Sequence, residues 1–253
     1  MNDRKRAVRY GISFVILAVL LIFLFIWNVN SGSIHLSVQE ILNIIFRHQG
    51  DETSYNIVWE IRLPRILAVI ILGGALSVSG FLLQTFFNNP IAGPFVLGIS
   101  SGAKLIVALL MIFFLSRSVS IGSGAMILAA FAGSMISMGF VLLVAKKVHN
   151  MSMLVISGVM IGYICSAITD FVVTFADDSN IVNLHNWSLG SFSGMTWGNV
   201  QTMAAVVLLT MVIVFFMSKP ISAYQMGETY AQNMGVNIKA FRILLILLSS
   251  ILS

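Results

Sequence analysis

The stretch Arg62–Ala103, RLPRILAVIILGGALSVSGFLLQTFFNNPIAGPFVLGISSGA, decides how the rest of the chain is read. Two arginines, Arg62 and Arg65, precede an apolar run long enough to cross a bilayer core, which takes about 20 residues. Within that run Gly73, Gly74, Ala75, Ser77, Ser79 and Gly80 supply a small-residue surface. Asn88, Asn89 and Pro90 then turn the chain, and ordinary turn chemistry accounts for the residue types. A second segment follows, punctuated by Gly93, Pro94, Gly98 and Gly102. An anchor helix needs only apolar length, so this much internal detail marks a working part of a membrane protein.

The remainder of the 253 residues has the same character. Hydrophobic residues make up 58% of the chain and charged residues 9%, with a mean hydropathy of +0.98. A soluble domain carries roughly 25% charged residues, so this chain lives mostly in lipid. Apolar runs lie at 10–27, 66–84, 98–115, 122–145, 151–175 and 199–217, and a seventh begins near Phe241 and stops with the sequence at Ser253. Lipid cannot satisfy exposed backbone groups, so all are expected to be helical. The expected fold is all-α: a polytopic transmembrane helix bundle forming one domain over 1–253, with six complete spans and the start of a seventh.

Arg4, Lys5, Arg6 and Arg9 before the first run resemble the basic start of a signal peptide. The run is long for one, and residues 28–31 offer no small-x-small cleavage site, so a retained first span is expected. The net charge of +5 is not a nucleic-acid signature, because the bases are scattered among loops. It reads as topology. With the N-terminus inside, Arg4, Lys5, Arg6, Arg9, Lys146, Lys147, Lys219, Lys239 and Arg242 fall on the inner side. Arg47, Arg62, Arg65 and Arg117 fall outside, and Lys104 is ambiguous. Cys165 is the single cysteine and lies in an apolar run, so no intramolecular disulfide forms and redox compartment is not legible.

Between the spans, Ser37 and Glu40 form a capping-box pattern ahead of Ile41, Ile44 and Ile45, predicting a short helix over 37–47. Gln49–Ser54 is polar and reads as a mobile loop. Pro64 suits the first turn of the second span, where its missing N–H costs nothing. The loop 177–199 returns to the outer side with Trp187 and Trp197 as interfacial anchors. Small residues recur at steps of four as Ala125, Ala129, Gly133 and Ser137, and as Gly158, Gly162 and Ser166, continuing to Asp170. Residues four apart share a helix face, and small ones let helices approach closely. Tight packing is expected of the second and fourth spans. For Gly158, Gly162, Ser166 and Asp170 in the fifth, pore lining is the stronger expectation. Asp170 lies about 19 residues, or roughly 29 Å, along its span, so it stands near the outer interface, at a pore mouth or in interfacial hydrogen bonding.

Two elements suggest partners. Arg62 and Arg65 stand against the usual placement of positive charge, three residues apart on similar faces of a helix start. They either snorkel, or pair with Glu60, or form a basic platform for acidic residues of another protein. The segment 218–239 is too polar to cross the membrane, and Met226, Tyr230 and Met234 recur in it every four residues before Gly235, a candidate C-cap. It is either an amphipathic helix on the membrane surface or a coupling helix for a cytoplasmic partner.

These segments resemble the FecCD-type permeases, the membrane subunits of ABC importers for iron-siderophores, haem and cobalamin. The most specific match is Asn89-Pro90-Ile91-Ala92-Gly93-Pro94 followed by Val96-Leu97-Gly98-Ile99-Ser100-Ser101-Gly102. The resemblance implies that Arg62-Leu63-Pro64-Arg65 docks glutamates of an extracytoplasmic substrate-binding protein. It also implies that Gly227, Glu228, Ala231, Gly235 and Val236, with Tyr230 and Met234 on the same segment, contact a separate ATPase subunit. A second permease chain, identical or related, would complete the path. Family members usually run through ten spans, so the sequence resembles a member truncated in its seventh. Lys104 departs from the family, whose segment is usually uncharged there. Residues 177–180 and 186–190 resemble catechol-type siderophore permeases, which makes an iron-siderophore the expected substrate, with haem or cobalamin as alternatives.

Other chemistries find no support. Gly93–Ser100 spells a phosphate loop without its lysine, so ATP binding is not expected of this chain. His35, His48, His149 and His185 lie on different loops without metal-ligand spacing, and no Ser/His/Asp set converges. Neither an enzyme, a cofactor nor a metal site is expected. An ion-coupled secondary transporter would need ionisable groups or broken helices at mid-membrane, where these spans are apolar or small. A non-transporting scaffold would not need two matched partner surfaces.

Overall fold

The computed structural model describes residues 2–32, 36–95, 98–115, 123–145 and 151–253. Val96, Leu97, Arg117, Lys146, Lys147, His35 and His149 lie outside the described residues. All regular elements among the described residues are helical. They are α1 (Asn2–Asn30), α2 (Val38–Arg47), α3 (Glu52–Asn56), a π-helical segment (Ile57–Arg62), α4 (Leu63–Phe87), α5 (Ile99–Leu115), α6 (Ser123–Ala145), α7 (Met151–Val173), α8 (Asp178–Leu189), α9 (Trp197–Phe216), α10 (Ser218–Gln225), α11 (Glu228–Asn233) and α12 (Ile238–Leu252). Five described helices are long and apolar enough to cross a membrane. The run expected as a third complete span is described over the 17 residues of α5, about 25 Å at helical rise. The chain forms two compact units, residues 1–70 with 192–203, and residues 71–191 with 204–253.

In the first unit, α2 starts on the expected capping box. The Ser37 hydroxyl accepts from the Glu40 amide at 3.2 Å, and the Glu40 carboxylate accepts from the Ser37 amide at 2.8 Å. His48, in the left-handed region at φ 53°, ends the helix. The polar residues that follow are ordered by a second cap, in which the Asp51 carboxylate accepts from the Ser54 amide at 3.0 Å. That bonding from Ser54 holds the Asp51 carboxyl below its usual value. From Glu52 the helix continues through the π-helical segment into α4 as one 36-residue rod, so Pro64 lies inside a helix and does not begin one. A proline ring crowds the carbonyl four residues earlier and donates no bond. The π turn just ahead of it, where the Leu63 amide donates to the Val58 carbonyl, is wider than an α turn and accommodates the ring. Val29, Leu36, Ile41, Ile44, Val58, Leu63 and Ile66 form the core of this unit.

In the second unit, Leu82, Leu83, Phe86 and Phe87 of α4 are buried with Met138 of α6 and with Leu245 and Ile246 of α12. Ser79 and Ser249 join α4 to α12 through a buried hydroxyl pair at 2.8 Å. The closest helix contacts are built on glycine. A Cβ on Gly133 of α6 would lie 2.2 Å from the Gly102 carbonyl oxygen of α5, and one on Gly98 would lie 2.8 Å from the backbone of Gly162 in α7. Gly98 also holds φ +72°, which opens α5. The packing expected of the fourth span is thus realised at Gly133. In the second span the packing is carried by Ala75 and Ser79, both buried, whereas a Cβ at Gly73 or Gly80 would meet nothing within 4 Å. The 177–199 stretch, expected as a loop, contains a helix, α8. It is preceded by Asp177 and stopped at Gly190, φ +74°, and Leu184 and Trp187 pack on the α5–α6 cluster of Val107, Ala108, Met111 and Ala129.

Candidate partner-docking sites

The first site lies in the first unit, where the π-helical segment meets α4. Arg62 is buried, and its guanidinium donates to the Val29 carbonyl at the end of α1 at 2.6 Å. Gly32 closes over it so tightly that a Cβ there would stand 2.4 Å from Arg62 Nη2. Arg65, one turn further on, is half-buried and donates to the carbonyls of Phe192 and Ser193 at 3.3 and 3.4 Å. The two arginines are therefore unequal. Arg62 ties the α1 end to the base of α4, and Arg65 lies across the loop ahead of α9.

An aromatic ladder braces the same region. Trp59 stacks near-parallel on Tyr55 at 6.2 Å, meets His48 edge-on at 4.6 Å and packs on Trp197 at 5.3 Å. The Trp197 indole donates to the Trp59 carbonyl at 2.9 Å. Trp197, expected as an interfacial anchor, is thus bonded into the chain. Its partner was not legible, because the two tryptophans are 138 residues apart and no short-range pattern joins them.

The second site is the segment 218–239 of the second unit. The four-residue recurrence of Met226, Tyr230 and Met234 predicts one helix, but the segment is two, α10 and α11, broken at Gly227. Gly227 has φ +121° and ψ 147°, a region open essentially to glycine alone. α11 ends in a Schellman motif, with the Val236 amide donating to the Ala231 carbonyl and the Gly235 amide to the Gln232 carbonyl, each at 3.0 Å. Gly235 occupies the left-handed position at φ +86°, one residue past the C-cap, as its place in the sequence suggested. Ala231, Ile221 and Tyr224 are buried, whereas Met226, Tyr230 and Met234 are 73, 46 and 65% exposed. The apolar row faces away from the chain's own core.

Three side chains fix this arrangement. The Tyr224 hydroxyl of α10 donates to Glu228 Oε1 of α11 at 2.9 Å. Arg242 of α12 donates from Nε to the Tyr224 oxygen at 3.1 Å and forms an ion pair with the same Glu228 oxygen through Nη2. Burial raises the Tyr224 phenol above its usual value, against the opposing pull of Arg242, so the hydroxyl remains a donor at neutral pH. Gln225 of α10 donates to Thr85 of α4 at 3.2 Å. Sequence reasoning singled out Glu228 but neither Tyr224 nor Arg242. Tyr224 stands one turn before Glu228, a legible spacing, whereas Arg242 follows 14 residues later, beyond a turn.

In α7, Gly158 and Gly162 are buried against Gly98, and the Ser166 hydroxyl lies 3.4 Å from that of Ser101. This face of the helix is a contact with α5. Asp170, exposed in the last turn, is the member of the run outside that contact. Among the described residues no group of His, Cys, Asp and Glu is arranged to hold a metal ion.

Comparison with known proteins identifies the family. The model of the FecCD transport family matches residues 20–253. The hemin transport system permease protein HmuU of Yersinia pestis is 30% identical over 237 residues, covering 93% of this chain and 70% of that protein. The vitamin B12 import system permease protein BtuC of Salmonella typhi is 34% identical over 190 residues, 75% of this chain and 57% of that one. A solved structure described as a metal-chelate type ABC transporter, in an inward-facing conformation, shares the fold. It has a TM-score of 0.77 at 24% identity, and the match covers 93% of this chain and 71% of that one. The all-α, multi-pass architecture and the matched residues agree: the chain belongs to the FecCD transport family, as an ABC importer permease of the membrane.

Proposed function

We propose that this chain, as a single permease domain with its N-terminus inside, carries an iron-siderophore across the cytoplasmic membrane. An extracytoplasmic binding protein delivers the substrate to the Arg65 side of the first unit, with Arg62 holding the base of α4 in place beneath it. A separate ATPase docks on Met226, Tyr230 and Met234 and on the backbone around Gly227 and Gly235. A second permease chain completes the path. Asp170 stands at its mouth, while Gly158, Gly162 and Ser166 hold α7 against α5. The observation that carries this reading is the outward-facing apolar set of Met226, on the α10 side of Gly227, with Tyr230 and Met234, beside a frame fixed by Glu228, Ala231 and Val236. A surface helix serving only the membrane needs no such frame.

The siderophore assignment rests on the 177–190 residues, and the names of HmuU and BtuC keep haem and cobalamin as the competing cargoes. Pull-down of the tagged full-length chain from its native membrane separates them, with wild type beside Arg65→Glu. Wild type is expected to bring down one ATPase and one binding protein, and the ligand of the latter names the cargo. Arg65→Glu is expected to lose the binding protein alone, by at least about tenfold, the scale of a close charge pair turned repulsive. Capture of neither protein by wild type would remove the importer reading for this chain and bring an ion-coupled mechanism forward.

A further inference from the structure

The helix that presents the docking row is not self-supporting. α11 has six residues, far below the 12–15 or so at which isolated helices become marginal in water. Both its ends are glycines at positive φ, Gly227 and Gly235, so the helical path is broken on either side. Burial of Ala231 and the Schellman bonds hold its C-terminal half. Its first turn is held through Glu228, whose Oε1 accepts from both Tyr224 and Arg242, while Arg242 Nε closes the ring onto the Tyr224 hydroxyl. One carboxylate oxygen thereby joins α10, α11 and α12. Packing of Tyr224 on Phe241, ring centroids 5.3 Å apart, brings the α12 start to the same point.

The cluster is only partly shielded, with the Arg242 and Glu228 side chains 30 and 43% exposed. Ion pairs in such settings contribute little to global stability. Their geometric effect is different in kind, since a guanidinium bonding two partners through two nitrogens fixes an angle that an ammonium cannot.

From this we infer that Arg242 is a positioning residue: by clamping Glu228 and Tyr224 it sets the pose of α11 and rigidly links the docking row to α12. Motion imposed on Tyr230 and Met234 then reaches α12 through the Glu228–Arg242 contact as well as through the backbone at Gly235. The inference deepens the docking reading above and rests on it for the partner, though the clamp itself is a property of this chain alone.

The test uses the full chain in lipid nanodiscs, as wild type, Arg242→Met and Arg242→Lys. Amide hydrogen exchange across 228–236 and capture of the ATPase identified by the native pull-down are measured in parallel. Arg242→Met is expected to raise exchange in 228–236 about tenfold, the scale of a lost charged hydrogen bond discounted for exposure. Exchange in α5, α6 and α7 stays at the wild-type rate. ATPase capture falls by a similar factor, although no residue of the docking row has changed. Arg242→Lys, able to reach one partner but not to fork, is expected between the two in both measurements. Unchanged exchange in Arg242→Met would overturn the clamp, and raised exchange with undiminished capture would overturn its positioning role. If wild type captures no ATPase, the docking reading is what fails, and the exchange measurement still decides the clamp.

Discussion

Gly133→Val is expected to destroy the packing of the second unit, whereas Gly73→Val, the same change in a neighbouring span, leaves it intact. A Cβ at Gly133 would stand 2.2, 2.8 and 2.9 Å from the Gly102 oxygen, the Gly102 carbonyl carbon and the Ala103 Cα. All three are backbone atoms, so no rotamer change relieves the contact and α5 must move off α6. Overpacking a core typically costs about 1–3 kcal/mol. Here the separation also gives up the close backbone approach on which helix association in lipid depends. A loss of about 3 kcal/mol corresponds to roughly 10 °C in a chain of this size. In a thermal aggregation assay in detergent, Gly133→Val should melt about 10 °C or more below wild type, and Gly73→Val, which meets nothing within 4 Å, within about 2 °C of it. Equal melting of both variants would mean that α5 and α6 do not touch as described.

The second large effect concerns the α11 row. Tyr230→Glu/Met234→Glu should abolish ATPase capture while leaving the melting temperature at the wild-type value. Apolar anchors at the centre of an interface commonly contribute about 2 kcal/mol or more each, so the double change is expected to weaken capture at least about a hundredfold. Both side chains are largely exposed in the chain itself, and placing carboxylates there buries no charge. Quantitative co-purification checks the first expectation and the thermal assay the second. A variant that captures ATPase as wild type does would remove the row from the interface.

The sequence and the structure agree where the physics is local. Apolar length in lipid dictates helices, and the Ser37–Glu40 box and the Gly235 terminus follow from capping geometry within one turn. The reading stopped where two distant segments must meet. Met226, Tyr230 and Met234 have helical spacing, yet Gly227 breaks the helix between the first and the others, so spacing alone gave the wrong element. Arg62 matches a docking pattern, but the chain end of α1 and Gly32 enclose it, a contact spanning 33 residues. Gly158 and Gly162 share a face with Ser166, and only the position of Gly98, at the turn into α5, shows that α5 occupies the face. Pro64 reads as a helix start because proline is common there, and the π-helical turn that admits it mid-helix has no signature in residue type.

A photo-crosslinking residue at Met234, with a second chain carrying it at Val182 of α8, gives the most direct measurement. Val182 is comparably exposed, at 57%, but lies in the 177–199 segment expected on the opposite side of the membrane. After illumination of native membranes, an adduct between position 234 and a nucleotide-binding ATPase is expected, identified by peptide mass, with no such adduct from position 182. Absence of an ATPase adduct at 234, or its appearance at 182, would contradict the assignment of the α11 row as the surface on which ATP hydrolysis acts.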